Sequence, residues 1–116
     1  MTQMSNYPLG GRRCCQRLQK TIPPGFFRAL CDPTRLALLV QLAGCRRACT
    51  VGELAGCCPV DVSVVSRHLA ILRDAGLLEA TRRGKEVHYR VRYDTVTDTL
   101  RAVADAVEQC CPEGCC

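Results

Sequence analysis

Residues Asp61–Val91 read DVSVVSRHLAILRDAGLLEATRRGKEVHYRV, and this stretch decides the fold. Its first part spaces Val65, Leu69 and Leu72 as one face of a helix, with Ser63, Ser66, Arg67, His68 and Arg73 among the polar positions. Asp61 stands at the N-cap, and Gly76 is a stop. Two β-rich runs follow, Leu77–Thr81 and Glu86–Val91, joined by Arg82-Arg83-Gly84-Lys85. A polar-tipped helix followed by a basic hairpin is the layout of a winged helix-turn-helix, in which the helix enters the major groove of DNA and the wing lies on the backbone. The expected class is mainly α (α+β), with a two-stranded β wing.

The flanks support that layout. Pro59 separates the helix from a shorter one that Thr50-Val51-Gly52-Glu53 opens in capping-box form and that runs through Cys57 or Cys58. Further back, Asp32-Pro33 provides an N-cap with proline at the first helical position. Leu36, Leu39, Val40 and Ala43 follow at helical spacing, and Gly44 ends the run. Phe26–Leu30 reads as a turn or two of helix. After the hairpin, a last helix starts near Asp94 or Thr95. Val96, Leu100, Val103, Val107 and Cys110 repeat there at steps of 4, 3, 4 and 3, a seam for one partner surface, and Pro112 ends it. Arg101, Asp105 and Glu108 form its polar back, so it reads as a dimerisation helix. The expected organisation is a cysteine-bearing tail (1–20) with a short helix around Cys14–Lys20, one DNA-binding and dimerisation domain (21–109), and a cysteine-rich tail (110–116).

A chain of 116 residues makes one small domain, and a net charge of 16 − 11 = +5 suits DNA without proving it. Arg82, Arg83 and Lys85 crowd one turn, which is the more telling pattern. Eleven cysteines, eight of them in adjacent pairs, would suit a secreted disulfide scaffold. The opening MTQMSNYPLGG has no apolar run of signal-peptide type, and no stretch approaches a membrane span. Adjacent cysteines are also poor disulfide partners for each other. The expectation is a cytoplasmic protein, with no membrane partner, whose grouped thiols are metal ligands. Cys31 reads as a buried small hydrophobe. A thiol-rich enzyme is disfavoured: the sequence has no phosphate loop, no Cys-x-x-Cys and no catalytic His–Asp pairing.

Three motifs in order carry a resemblance: FRALCDPTRL at 27–36, VGELA at 51–55 and VSRHLAILRDAGLL at 65–78. With the wing Arg82–Tyr89 following, the chain resembles the ArsR/SmtB family of metal-responsive winged-helix repressors over about residues 24–108. The resemblance implies a homodimer that represses transcription at a palindromic operator and leaves DNA when an inducer binds. The family often has Ser-Gln at the start of the recognition helix. Here Asp61-Val62 stands there, so a base-reading glutamine is missing. Base reading then falls to Ser63, Val64, Arg67 and His68, with Val64 set to meet a thymine methyl. Ser66 and Arg73 share that helix, and Arg82, Arg83 and Lys85 suit phosphates or the minor groove. Arg28 and Arg35 read as scaffold.

The family's metal sites can be tested against this sequence. The Cys-x-Cys run ahead of Asp-Leu is absent, because Thr50-Val51-Gly52 stands ahead of Glu53-Leu54. The recognition-helix cysteines of the cadmium/lead type are replaced by Ile71 and Ala75. With only His68 and His88, a histidine site on the last helix cannot be built. Soft thiolate chemistry remains. Cys110, Cys111, Cys115 and Cys116 surround a Pro-Gly turn and resemble a C-terminal arsenite site of some members. Cys14 and Cys15 resemble a second variant, whose third cysteine, from the other subunit, corresponds to Cys45 or Cys49. Cys57 and Cys58 sit at the turn into the recognition helix, with Cys58 at a core position. The expected inducer is As(III) or Sb(III). Hg(II), Cd(II), Pb(II) or Cu(I) on the same scaffold, or a disulfide or persulfide switch, are the alternatives.

Overall fold

The structure is a computed structural model that describes residues 20–56 and 60–109. Among the described residues the elements run α1 (Pro24–Ala29), α2 (Pro33–Cys45), β1 (Cys49–Thr50), α3 (Val51–Ala55), α4 (Val62–Asp74), β2 (Leu78–Arg83), β3 (Glu86–Val91) and α5 (Tyr93–Gln109). Residues 25–96 form one compact unit; residues 97–109 belong to a second.

Local chemistry sets the starts of the helices. The Asp32 carboxylate accepts the Arg35 backbone N–H at 3.0 Å, and Pro33 follows in the first turn. Thr50 Oγ1 accepts from the Glu53 backbone N–H while Glu53 Oε1 accepts from the Thr50 N–H, a complete capping box. Asp61 occupies the N-cap of α4, but its side chain makes no capping bond. The end of α2 differs from the sequence expectation. Gly44 stays helical, and Arg46 takes the left-handed turn at φ 59°. Its guanidinium lies 5.4 Å from the centre of the Tyr93 ring, a contact that offsets the strain of a non-glycine residue there.

The two-stranded wing, β2 and β3, is extended by β1 into a three-stranded sheet in the order β1-β3-β2. β1 is antiparallel to β3, with Cys49 opposite Tyr89 and Thr50 opposite His88. β2 extends through Arg83, so the hairpin closes on two residues, Gly84 and Lys85. Gly84 takes φ 63° and Lys85 does not go positive, as a type II′ turn with glycine first demands.

The core of this unit gathers Phe26, Ala29, Leu38, Leu39, Leu42, Cys49, Leu54, Val65, Leu69, Leu72, Leu77, Leu78, Tyr89 and Val91. α4 presents Val65, Leu69 and Leu72 to it, as its periodicity requires, and packs on α2, α3 and β2. In α2 the buried face is Leu38, Leu39 and Leu42, while Leu36 and Val40 are exposed at 46% and 63%. The stripe read from the sequence was rotated, because an almost continuous apolar run does not select a face. Cys31 is exposed, which corrects its reading as a core residue: it lies in the turn between α1 and α2.

α5 runs for 17 residues and buries none of them. Its first apolar residue, Val96, packs on the core of residues 25–96 and so is not free for a partner seam. Leu100 and Val107 are exposed at 45% and 55%. No described helix is long and apolar enough to cross a membrane.

Candidate nucleic-acid interface and thiol groups

The face of α4 opposite the core carries Ser63, Arg67, Ile71 and Asp74, all exposed and spaced by 4, 4 and 3 residues. Val62 and Arg73 are exposed beside it. The Arg73 guanidinium is 2.9 Å from the neighbouring Asp74 carboxylate, which offsets its charge locally. Of the reading residues expected on this helix, Ser63, Arg67 and Arg73 are exposed. Val64 and Ser66 are only half-buried to half-exposed.

His68 is held by the scaffold. Its Nδ1 lies 3.3 Å from Arg35 Nη1, and its Nε2 lies 4.0 Å from Asp32 Oδ2. A guanidinium only donates, so Nδ1 accepts and the neutral ring carries its proton on Nε2, towards Asp32. Arg35 also donates through Nε to the Ala29 carbonyl at 2.6 Å. Arg35 is thus the scaffold residue expected from the sequence, joining the end of α1 to α4. Asp32 is held below its ordinary pKa, chiefly by the hydrogen bond from the Arg35 backbone N–H. A cavity of about 420 Å³ lies beside this tie, lined by Arg28, Arg35, Ile71 and Asp74 among others, and none of its lining residues is a cysteine.

The wing distributes its charges by strand alternation. Arg82 falls on the same face as Leu78 and Ala80; Arg83 falls on the opposite face with Glu79 and Thr81. Arg83 stands directly across from Glu86, whose carboxylate is 3.7 Å from His88 Nε2. Arg82 and Lys85 have no such facing acid, and all three cations are exposed.

Among the thiols, Cys31, Cys45 and Cys49 fall within the described residues. Cys14, Cys15, Cys57, Cys58, Cys110, Cys111, Cys115 and Cys116 lie outside them. Cys45 is exposed at the end of α2, and Cys49 is buried in β1 with its thiol 3.7 Å from the Arg47 carbonyl. Burial first, then a hydrogen bond with the neighbouring Cys45 thiol, push the Cys49 thiol above its ordinary pKa; the Arg47 charge opposes them. Arg47 itself is committed to Glu53 at 2.8 Å. That pair, reinforced by the Thr50 N–H, pulls the Glu53 carboxyl down to about 2. Among the described residues no three His, Cys, Asp or Glu side chains form a metal-binding group, so Cys45 and Cys49 supply at most two ligands.

The exposure of one side chain escaped the sequence reading. Val62 lies three residues before Val65, so periodicity assigns it to the core stripe. It is nonetheless 55% exposed, and the buried residues of α4 begin at Val65.

Residues 32–80 match the family model of the bacterial regulatory proteins of the arsR family. Over 84 residues the chain is 39% identical to a transcriptional repressor SmtB homologue of Synechocystis, covering 72% of this chain and 62% of that one. It is 36% identical over 90 residues to an arsenic resistance transcriptional regulator of Pseudomonas putida, covering 75% and 70% of the two chains. The fold is similar to the homodimeric winged helix-turn-helix DNA-binding domain of a possible ArsR-family regulator from Mycobacterium bovis. There the TM-score is 0.60 and the identity 25%, over 86% of this chain and 91% of that one. The chain thus spans just over three fifths of the length of the Synechocystis relative.

Proposed function

Because the chain belongs to the arsR family of bacterial regulatory proteins, a family of regulators and not of enzymes, we propose that it is a homodimeric, cytoplasmic transcriptional repressor released from its operator by a thiophilic metalloid. The observation that carries the DNA half is the combination of α4's outward Ser63 and Arg67 with the exposed cations Arg82, Arg83 and Lys85 of the wing. Two such units, paired through α5, set two recognition helices against successive major grooves of a palindrome, about 34–36 Å apart. The wing supplies affinity through phosphates, and the helix supplies sequence choice.

The inducer half rests on the thiols. As(III) or Sb(III) takes three thiolates. The set Cys110, Cys111, Cys115 and Cys116 follows α5 directly, so a ligand there acts where the subunits pair. A second set, Cys14 and Cys15 with Cys45 or Cys49 of the partner chain, is favoured by the neighbouring Cys45 and Cys49 thiols. Cys49 also pairs with Tyr89 of the wing strand, so a ligand on its sulfur pulls on the root of the wing. Cys57 and Cys58 rank third. For release, the metalloid must bind the DNA-incompetent state more tightly; a coupling of ~1–3 kcal/mol weakens DNA binding roughly 5–150-fold.

The test is operator binding titrated with As(III), Sb(III), Hg(II), Cd(II), Pb(II), Cu(I), Zn(II) and peroxide under controlled reductant. As(III) and Sb(III) are expected to release DNA at the lowest concentrations. Release by peroxide alone identifies a redox repressor instead. Changing Cys110, Cys111, Cys115 and Cys116 to Ser is expected to abolish release while leaving DNA binding intact. Normal release in that variant, with loss in Cys14→Ser/Cys15→Ser, moves the sensor to the second set.

A further inference from the structure

We propose that Val62 reads a thymine methyl in each operator half-site, in place of a hydrogen bond to a base at that position. This rests on the DNA-binding reading above and adds the chemistry of one contact. Three observations converge on it. Val62 is the first residue of α4, the helix whose outward face carries Ser63 and Arg67, and the first turn of such a helix is where base edges are met. Val62 is 55% exposed and, among the described residues, is not one of the hydrophobics packed on the core. Beside it, the exposed Asp61 carboxylate makes no capping bond, and its charge disfavours a phosphate at this end of the helix. The start of α4 is therefore built for the groove floor and not for the backbone.

Valine has neither donor nor acceptor, so it cannot read the hydrogen-bond pattern of a base edge. The one apolar feature that a base pair displays in the major groove is the C5 methyl of thymine. Val64, the sequence candidate for this contact, is half-buried, whereas Val62 offers more of its surface.

The experiment begins with selection of a preferred duplex by the full chain from random DNA. Each thymine is then replaced in turn by deoxyuridine, which removes only the methyl. One symmetric thymine pair is expected to matter, with binding weakened ~4-fold per half-site and ~15-fold for both, the size of one buried methyl group. Val62→Ala is expected to lose about as much on the thymine duplex and to be indifferent to uracil at that position. Because Val62 lies outside the core, the variant keeps the fold, which circular dichroism checks. If no thymine is sensitive to uracil, or if Val62→Ala keeps the full uracil penalty, the proposal is wrong while DNA binding stands. If no duplex is preferred at all, the DNA-reading function fails and the proposal with it.

Discussion

α4 and α5 are both amphipathic, yet α4 buries Val65, Leu69 and Leu72 completely while the longer α5 buries nothing. The α4 stripe finds α2, α3 and β2 within the same unit. The α5 stripe leaves Leu100 and Val107 in solvent. Hydrophobic periodicity reports that a helix has an apolar face; it does not report whether the partner of that face lies in the same chain. The contrast suits a division of labour in which α4 is fixed by its own fold and α5 by a second copy.

The largest effect is expected in α4. Leu69→Ala and Leu72→Ala each remove about 2–5 kcal/mol. Together they approach the ~5–15 kcal/mol that holds a typical domain. The double variant should be unfolded at room temperature by circular dichroism. A folded double variant would show that α4 is not the keystone of residues 25–96.

Next comes α5. In the proposed dimer, Val103→Asp with Val107→Asp places uncompensated like charges across the paired helices and should abolish association. Sedimentation should show a monomer with its urea midpoint little changed, because neither side chain belongs to the core. A persistent dimer would place the interface elsewhere, with the exposed Leu36 and Val40 of α2 as the next surface to test.

The same contrast explains what could be read beforehand. The caps at Asp32 and Thr50–Glu53 were legible because capping is local: the bonding partners stand three positions apart in the sequence. The core side of α4 was legible because its polar residues leave one clean stripe. α2 was not, since Leu36, Leu38, Leu39, Val40 and Leu42 offer apolar residues on several faces, and only the tertiary fold chooses among them. β1 is two residues long, too short for any periodicity. The ties of His68 to Arg35 and Asp32 were not legible, because those partners are more than thirty residues away in sequence. Val62 entered the sequence reading only as the residue beside Asp61 at the start of the helix, because its exposure depends on where the core ends, which periodicity does not give. Most candidate thiol ligands lie outside the described residues.

A smaller effect separates electrostatic from apolar support. α3, which packs on α4, is held at its start by Arg47–Glu53 and the capping box. Glu53 has a folded pKa of about 2 against an ordinary 4.5. A depressed carboxyl stabilises the fold fully above its unfolded pKa, and the contribution fades as pH falls from about 4.5 to 2. Glu53→Gln should therefore lower the urea midpoint at pH 7 and converge with the original protein near pH 2. A gap that stays constant with pH would mean that the Gln variant loses packing and not charge.

The smallest expected effect lies at the root of α5. Arg46 keeps a left-handed backbone at φ 59° while its guanidinium covers the Tyr93 ring, and the Tyr93 hydroxyl donates to the Ala43 carbonyl at 3.2 Å. The two effects on Arg46 oppose each other: backbone strain of about 1 kcal/mol and an exposed cation–π contact of about 0.5–1 kcal/mol. Arg46→Gly relieves the first and loses the second, so stability should change by less than about 0.5 kcal/mol. Arg46→Ala loses the contact and keeps the strain, so it should be destabilised by about 0.5–1 kcal/mol. Urea melts of the two variants give the order. If Ala equals Gly, the left-handed turn carries no strain here, and the start of α5 is set by Tyr93 and the packing of Val96 alone.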